Sequence, residues 1–169
     1  PYFEDKVGRY KKTYSSNDKT TIIFLSQGTI GRQLSKEASK IALILDLSKY
    51  EIIYKLHPGE YYNWLQEYPW LKDSNIRVVD NNQNDIHYYF AKSDIQVGVS
   101  STALFEGLAY QLRTFVYKLP GYKHSEKLIE ERVANLIEDS SQLISLLNSI
   151  NYHNFHVERY WKFKAKYNI

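Results

Sequence analysis

From residue 20 onward, short apolar runs alternate with segments of helical periodicity. "TTIIFLS" (20–26) is a β-branched apolar run, and "GRQLSKEASKIALILDLS" (31–48) follows with Leu34, Ala38, Ile41, Ala42 and Leu45 at helical spacing. "YEIIYKL" (50–56) predicts a second strand, followed by His57-Pro58-Gly59 and an aromatic-rich helix over about 60–71. "NIRVVD" (75–80) and "DIQVGVS" (94–100) predict the third and fourth strands, with a short helix over 85–93 between them and another over about 101–111. "RTFVYK" (113–118) is the fifth. A Pro-Gly loop, a polar helix near 124–132, a sixth strand in "VANLIED" (133–139) and a last helix with Leu143, Ile144, Leu147 and Ile150 on one face complete the series. No internal repeat and no low-complexity tract interrupts it.

Such alternation through six units predicts an α/β fold: a Rossmann-like, doubly wound parallel sheet of about six strands with helices on both faces. Right-handed crossovers leave few other topologies. In this architecture ligands sit beyond the carboxyl ends of the strands, near the point where strand order reverses. The polar, non-periodic residues 1–19 read as a linker or domain-entry segment, 20–150 as the Rossmann-like domain, and 151–169 as a basic-aromatic helix.

Composition narrows the setting. The 169 residues carry 43% hydrophobic and 24% charged side chains, as a globular domain does. No run of about 18 apolar residues predicts a membrane span, and no signal-peptide pattern opens the chain. With no cysteine, disulfides and thiolate metal sites are excluded, which fits a cytoplasmic setting. Methionine is missing even at position 1, so the chain reads as a piece of a longer protein. A net charge of +3, with scattered basic residues, argues against nucleic acid as a partner. The 16 tyrosines carry no functional weight.

Three loops leaving the strands hold the candidate chemistry. In "SQGTIGRQ", Gly28 and Gly31 stand between strand one and its helix, where glycine lets the backbone approach a phosphate; a plain strand-to-helix turn would use glycine too. In "KLHPGE", Pro58 ends strand two and places His57 at its carboxyl end, positioned to donate to a phosphoryl or glycosidic oxygen, or simply to a loop carbonyl. In "VGVSSTALFEG", Ser100, Ser101 and Thr102 stand where strand four meets a helix. One hydroxyl suffices for a cap; the others, with the first helical N–H groups, would cradle an anion. Glu106, about one turn on, suits the helix dipole and would equally accept from ribose hydroxyls. With strands one and four adjacent at the switch point, these loops converge on one crevice. His153 and His156 lack a third ligand at metal-binding spacing. "VGVSST" lacks the G-x-S-x-G elbow of a serine hydrolase, and no Walker lysine is present.

"KLHPGE", followed some forty residues later by "VGVSSTALFEGLAYQLRTFVY", resembles the His-Pro and Ser-Ser/Thr motifs of bacterial capsule and cell-surface polymer transferases: polysialyltransferases and CDP-glycerol glycerophosphotransferases, with a looser likeness to non-hydrolysing nucleotide-sugar epimerases. The likeness spans roughly residues 20–147. It implies the carboxyl-terminal, donor-binding half of a two-domain GT-B protein. It further implies that His57 contacts the donor phosphate and assists leaving-group departure, that Ser100 and Ser101, with Thr102, hold phosphate oxygens, and that Glu106 binds the ribose. The substrate would be a CMP-, CDP- or UDP-linked donor, with no tightly bound cofactor and no metal. A catalytic base and the acceptor site would lie in an amino-terminal domain outside this chain.

The tail "NYHNFHVERYWKFKAKYNI" mixes cations and aromatics. It suits a helix crossing onto a partner domain, peripheral contact with an anionic membrane, or packing on its own domain. Two other functions compete with the transferase. An epimerase would need acid/base carboxylates in the crevice, and a receiver-like binding module would need an acidic pair after strand one, which "FLSQG" does not supply.

Overall fold

Alternate residues of each central strand serve two different cores. In the computed structural model, which describes residues 18–149 and 165–166, the first strand, β1 (Thr20–Leu25), sends Ile22 and Phe24 to one face and Ile23 and Leu25 to the other. All four are buried, which is why the run is continuously apolar rather than alternating. β2 (Tyr50–Lys55), β3 (Arg77–Val79), β4 (Ile95–Gly98), β5 (Arg113–Tyr117) and β6 (Ala134–Ile137) complete a six-stranded sheet in the order β3-β2-β1-β4-β5-β6. Every pairing is parallel. The order reverses at β1, which pairs β2 on one side and β4 on the other, as the sequence predicts.

One face is covered by α1 (Gly31–Ile44) and α6 (Ser140–Asn148), through Leu34, Ala38 and Ile41 and through Leu143 and Leu147. The opposite face carries α3 (Ile86–Ala91), α4 (Ala103–Leu108) and α5 (Glu126–Glu130), through Phe90, Leu104, Leu108 and Leu128. Both amphipathic patterns in the sequence thus find a sheet face to bury against.

The helix expected over 60–71 is not continuous. A 3₁₀ turn (Pro58–Glu60), the short α2 (Trp64–Glu67) and a second 3₁₀ turn (Pro69–Leu71) replace it. Pro69 cannot accept the helical backbone of a continuing α2, and the preceding Tyr68 leaves helical geometry at φ −130°, ψ 52°. The helix expected over 101–111 is shorter, since the chain turns at Gln111 into a left-handed conformation (φ 61°). The polar helix near 124–132 is a 3₁₀ turn (Tyr122–Ser125) running into α5, and it stops before left-handed Arg132 (φ 55°).

The entry segment 1–17, Ile150, and most of the tail, including His153 and His156, lie outside the described residues, as do the interdomain and membrane roles expected of that tail. Within its described turn, Lys166 pairs with Glu131. No helix among the described residues is long and apolar enough to cross a membrane, and no cluster of three metal-ligating side chains occurs among them.

Candidate functional site

Beyond the carboxyl ends of β1, β2 and β4 opens a cleft of about 370 Å³, lined among others by Ser26, Lys55, His57, Asn84, Ser101 and Glu106. Three of the residues singled out in the sequence, His57, Ser101 and Glu106, therefore share one cavity although they span fifty positions of chain.

His57 is the best fixed of them. Its own N–H donates to Glu60 Oε2 at 2.7 Å, and its Nδ1 accepts from the Gly59 N–H at 3.2 Å. This is a capping box with histidine in the place usually taken by serine or threonine. Because Nδ1 accepts, the neutral ring carries its proton on Nε2. The ring is exposed while the carboxylate that holds its backbone is buried.

Glu60 is the centre of that support. It is 7% exposed and accepts from three donors: His57 N–H, Ser26 Oγ at 2.8 Å and Tyr68 Oη at 2.7 Å. A buried carboxylate is tolerable only with such full satisfaction. Tyr54 extends the knot, with its hydroxyl against Ser26 Oγ at 3.1 Å and donating to the Gly31 carbonyl at 3.0 Å. Burial and the nearby Glu60 push both the Tyr54 and Tyr68 hydroxyls above the ordinary tyrosine range, so they remain donors.

The two glycines of the first loop play different parts. A Cβ on Gly31 would lie 2.3 Å from Glu60 Oε1 and 2.4 Å from Tyr68 Oη, so glycine there admits the knot to the start of α1. A Cβ on Gly28 would meet nothing within 4 Å. Gly28 is exposed on the loop and stands outside the lining of the cleft.

The hydroxyl run at β4–α4 divides its labour residue by residue. Ser101 Oγ accepts from the Ala103 N–H at 3.2 Å, whereas Thr102, the residue flanking α4, makes no capping bond with its side chain. Ser100 turns to the neighbouring loop: its N–H and its hydroxyl both donate to Gln27 Oε1, each at 3.2 Å. The first and fourth strand loops thus meet, as the strand order requires. A third loop backs them, since Ser125 Oγ donates to the Val99 carbonyl at 2.8 Å. Gly121, left-handed at φ 93°, comes close beside Ser100, where a Cβ would lie 3.4 Å from Ser100 Oγ.

α4 is locked to the sheet by a buried amide. Gln96 Nε2 donates to the Leu104 carbonyl and to Thr114 Oγ1, both at 2.8 Å. The helix approaches closely because Gly107 faces that amide, and a Cβ there would lie 2.0 Å from Gln96 Oε1. This contact sets the height of Ser101 and Glu106 along the cleft wall.

Lys55, Glu60, Gln27 and His87 bear on the cleft without being revealed by periodicity: Lys55 lines it, Glu60 accepts from the His57 N–H, Gln27 accepts from Ser100, and His87 Nε2 lies 3.6 Å from Glu106 Oε2. Lys55 is 9% exposed; its Nζ donates to Tyr61 Oη at 2.6 Å and to the Leu56 carbonyl at 3.2 Å, and it sits 4.9 Å from the Tyr61 ring centroid. Burial pulls its ammonium below the usual lysine range, against the pull of Asp80 and Glu60. Of the four, Glu60 left a readable signal: "HPGE" has the spacing of a capping box.

No family model matches the chain, and no curated protein matches its sequence. Solved structures do match in three dimensions. The carboxyl-terminal CMP-Kdo binding domain of WaaA from Acinetobacter baumannii superposes with a TM-score of 0.64 at 14% identity, over 96% of this chain and 97% of that one. The carboxyl-terminal domain of the group 1 glycosyltransferase LpcC from Francisella tularensis gives 0.62 at 12% identity, over 95% and 91%. The wall teichoic acid polymerase TagF gives 0.62 at 16% identity, over 96% of this chain and 41% of its own.

The fold is that of a GT-B carboxyl-terminal domain. The chain matches two separate carboxyl-terminal domains over nearly their whole length and covers about two fifths of TagF. The cleft described above lies beyond the carboxyl edge of the sheet, at the reversal of strand order where open α/β sheets generally take their ligands.

Proposed function

We propose that this chain binds the nucleotide-activated donor of a bacterial glycosyl- or glycerophosphotransferase that builds a cell-surface polymer. The observation that carries the reading is the convergence of a tautomer-fixed His57, Ser101 and Glu106 on one cleft beyond the carboxyl ends of β1, β2 and β4. The fold supports it: the WaaA domain is a CMP-Kdo binding domain and TagF polymerises wall teichoic acid.

In this reading the donor pyrophosphate or phosphate lies between His57 Nε2–H and the hydroxyls of Ser100, Ser101 and Thr102. Negative charge grows on the departing nucleotide phosphate as the bond to the transferred group breaks. A donor already held in place, backed by the rigid Glu60 knot, stabilises that charge without reorganising. Glu106 accepts from the ribose hydroxyls. Gln27 holds the Ser100 donors until a phosphate oxygen replaces its carbonyl, and Gly28 gives that loop room to move aside. The catalytic base and the acceptor belong to a partner domain; the match to TagF covers 41% of that protein. Since nucleotide donors are made inside the cell, the work is assigned to the cytoplasm.

The test is calorimetric titration with CMP, CDP, UDP and ADP, repeated on Ser101→Ala and His57→Ala. A pyrimidine nucleotide should bind best, and both substitutions should weaken it about fivefold or more, the scale of one lost hydrogen bond. Failure of all four to bind the folded chain would contradict the reading.

A further inference from the structure

We infer that His87 is a positioning residue for the donor site, holding the Glu106 carboxylate where it meets the ribose. This rests on the donor-binding reading above. His87 is 9% exposed on the first turn of α3, two residues after Asp85, whose Oδ1 caps that helix by accepting from the Tyr88 N–H at 3.0 Å. Its ring is clamped by aromatics, with the Phe90 centroid 6.3 Å away and edge-on, and the Tyr110 centroid 5.8 Å away. Phe90 and Tyr110 in turn contact one another at 5.7 Å. So enclosed, the imidazole has little rotational freedom.

What the clamped ring faces is a carboxylate of the cleft wall. His87 Nε2 lies 3.6 Å from Glu106 Oε2, and Glu106, whose side chain is 40% exposed, lines the cavity beside Ser101 and Asp85. A glutamate on a helix has three rotatable bonds and, left to itself, spends most of its time away from any one ligand geometry. Contact at Oε2 restrains it and leaves Oε1 for a hydroxyl. Two adjacent hydroxyls, such as the 2′ and 3′ groups of a ribose, are the ligand chemistry that rewards a carboxylate held in one orientation. A buried histidine spent only on packing would gain nothing from facing an anion across a cavity wall, where an aromatic hydrocarbon would fill the space without a polar group to satisfy.

The experiment measures binding of CDP and UDP, and of their 2′,3′-dideoxy counterparts, to the wild-type chain, His87→Phe and His87→Gln, with the fold of each checked by thermal unfolding. Wild type should prefer the ribonucleotide. His87→Phe should lose about fivefold in affinity for it while binding the dideoxy form within twofold of wild type. His87→Gln, which keeps an N–H near the position of Nε2, should recover most of the loss, and it carries the test should the phenylalanine variant not fold. In a Glu106→Ala background the His87 substitutions should have no further effect. Equal losses for both nucleotides, or a wild type indifferent to the hydroxyls, would overturn the inference and leave the donor reading standing. A wild-type chain that binds no nucleotide would overturn both.

Discussion

The knot around Glu60 and the hydroxyl run at Ser100–Thr102 stand beyond strands that flank β1 on either side, and they are built in opposite ways. In the knot a buried carboxylate takes three hydrogen bonds of 2.7–2.8 Å, and a glycine is required to let it in. In the run the bonds are 3.2 Å, and Ser100 spends two donors on one amide oxygen of Gln27, a group that another oxygen can replace. The first region is scaffold whose product is one fixed imidazole; the second is an adaptable surface. Tight internal satisfaction marks residues that hold a site. Loose, replaceable bonds are what the proposed donor site asks of its phosphate-facing hydroxyls.

The contrast breaks most directly at Gly31. Gly31→Ala should cost about 3 kcal/mol, because the new methyl overlaps Glu60 and Tyr68 and the polar knot must open to admit it; denaturant unfolding measures it. Glu60→Gln should cost about 2 kcal/mol in the same assay, since an amide NH₂ replaces an acceptor that buried donors need. It should also weaken nucleotide binding by freeing His57. Across the cleft, Ser101→Ala should lower nucleotide affinity about fivefold while changing stability by less than about 0.5 kcal/mol, because its one capping bond is long and half-buried. Gly28→Ala sets the low end: with open space around its Cβ it should leave stability within about 0.5 kcal/mol.

Lys55 sharpens the comparison through pH. Its folded pKa lies below the unfolded value, so the fold bears the cost of a half-desolvated charge below the folded pKa, and that cost is relieved as pH rises through it. The same titration removes a cation from the cleft. Affinity for an anionic nucleotide should therefore begin to fall at a lower pH than an exposed lysine would titrate. Lys55→Met should flatten that alkaline decline in titrations between neutral and alkaline pH.

Much of this is legible in the amino-acid sequence. Two-faced strands such as "TTIIFL" and the 3.6-residue spacing of Leu34, Ala38 and Ile41 carry the α/β class and the strand order that follows from it. His57 was legible because Pro58 must end a strand, and Ser101 and Glu106 because they follow β4 at its junction with a helix. The rest depends on distant partners. Nothing local distinguishes Gly31, which must be glycine, from Gly28, which need not be, since the obstacle is a carboxylate 29 positions later. His87 has no local mark either; its meaning comes from Glu106 on the neighbouring helix. The aromatic segment 60–71 misled because helical spacing of apolar residues says nothing of the break that Pro69 imposes.

The proposed seat of the donor is the cleft shared by His57, Ser101 and Glu106. Backbone amide shifts of the isotopically labelled chain, followed by NMR during addition of CDP, test it most directly. The largest changes are expected at Gly59, Ser101, Ala103 and Glu106, with the amides of α6 and the β5–β6 edge unmoved. Saturable changes centred on any other face of the sheet would contradict it, as would a folded chain whose spectrum does not respond.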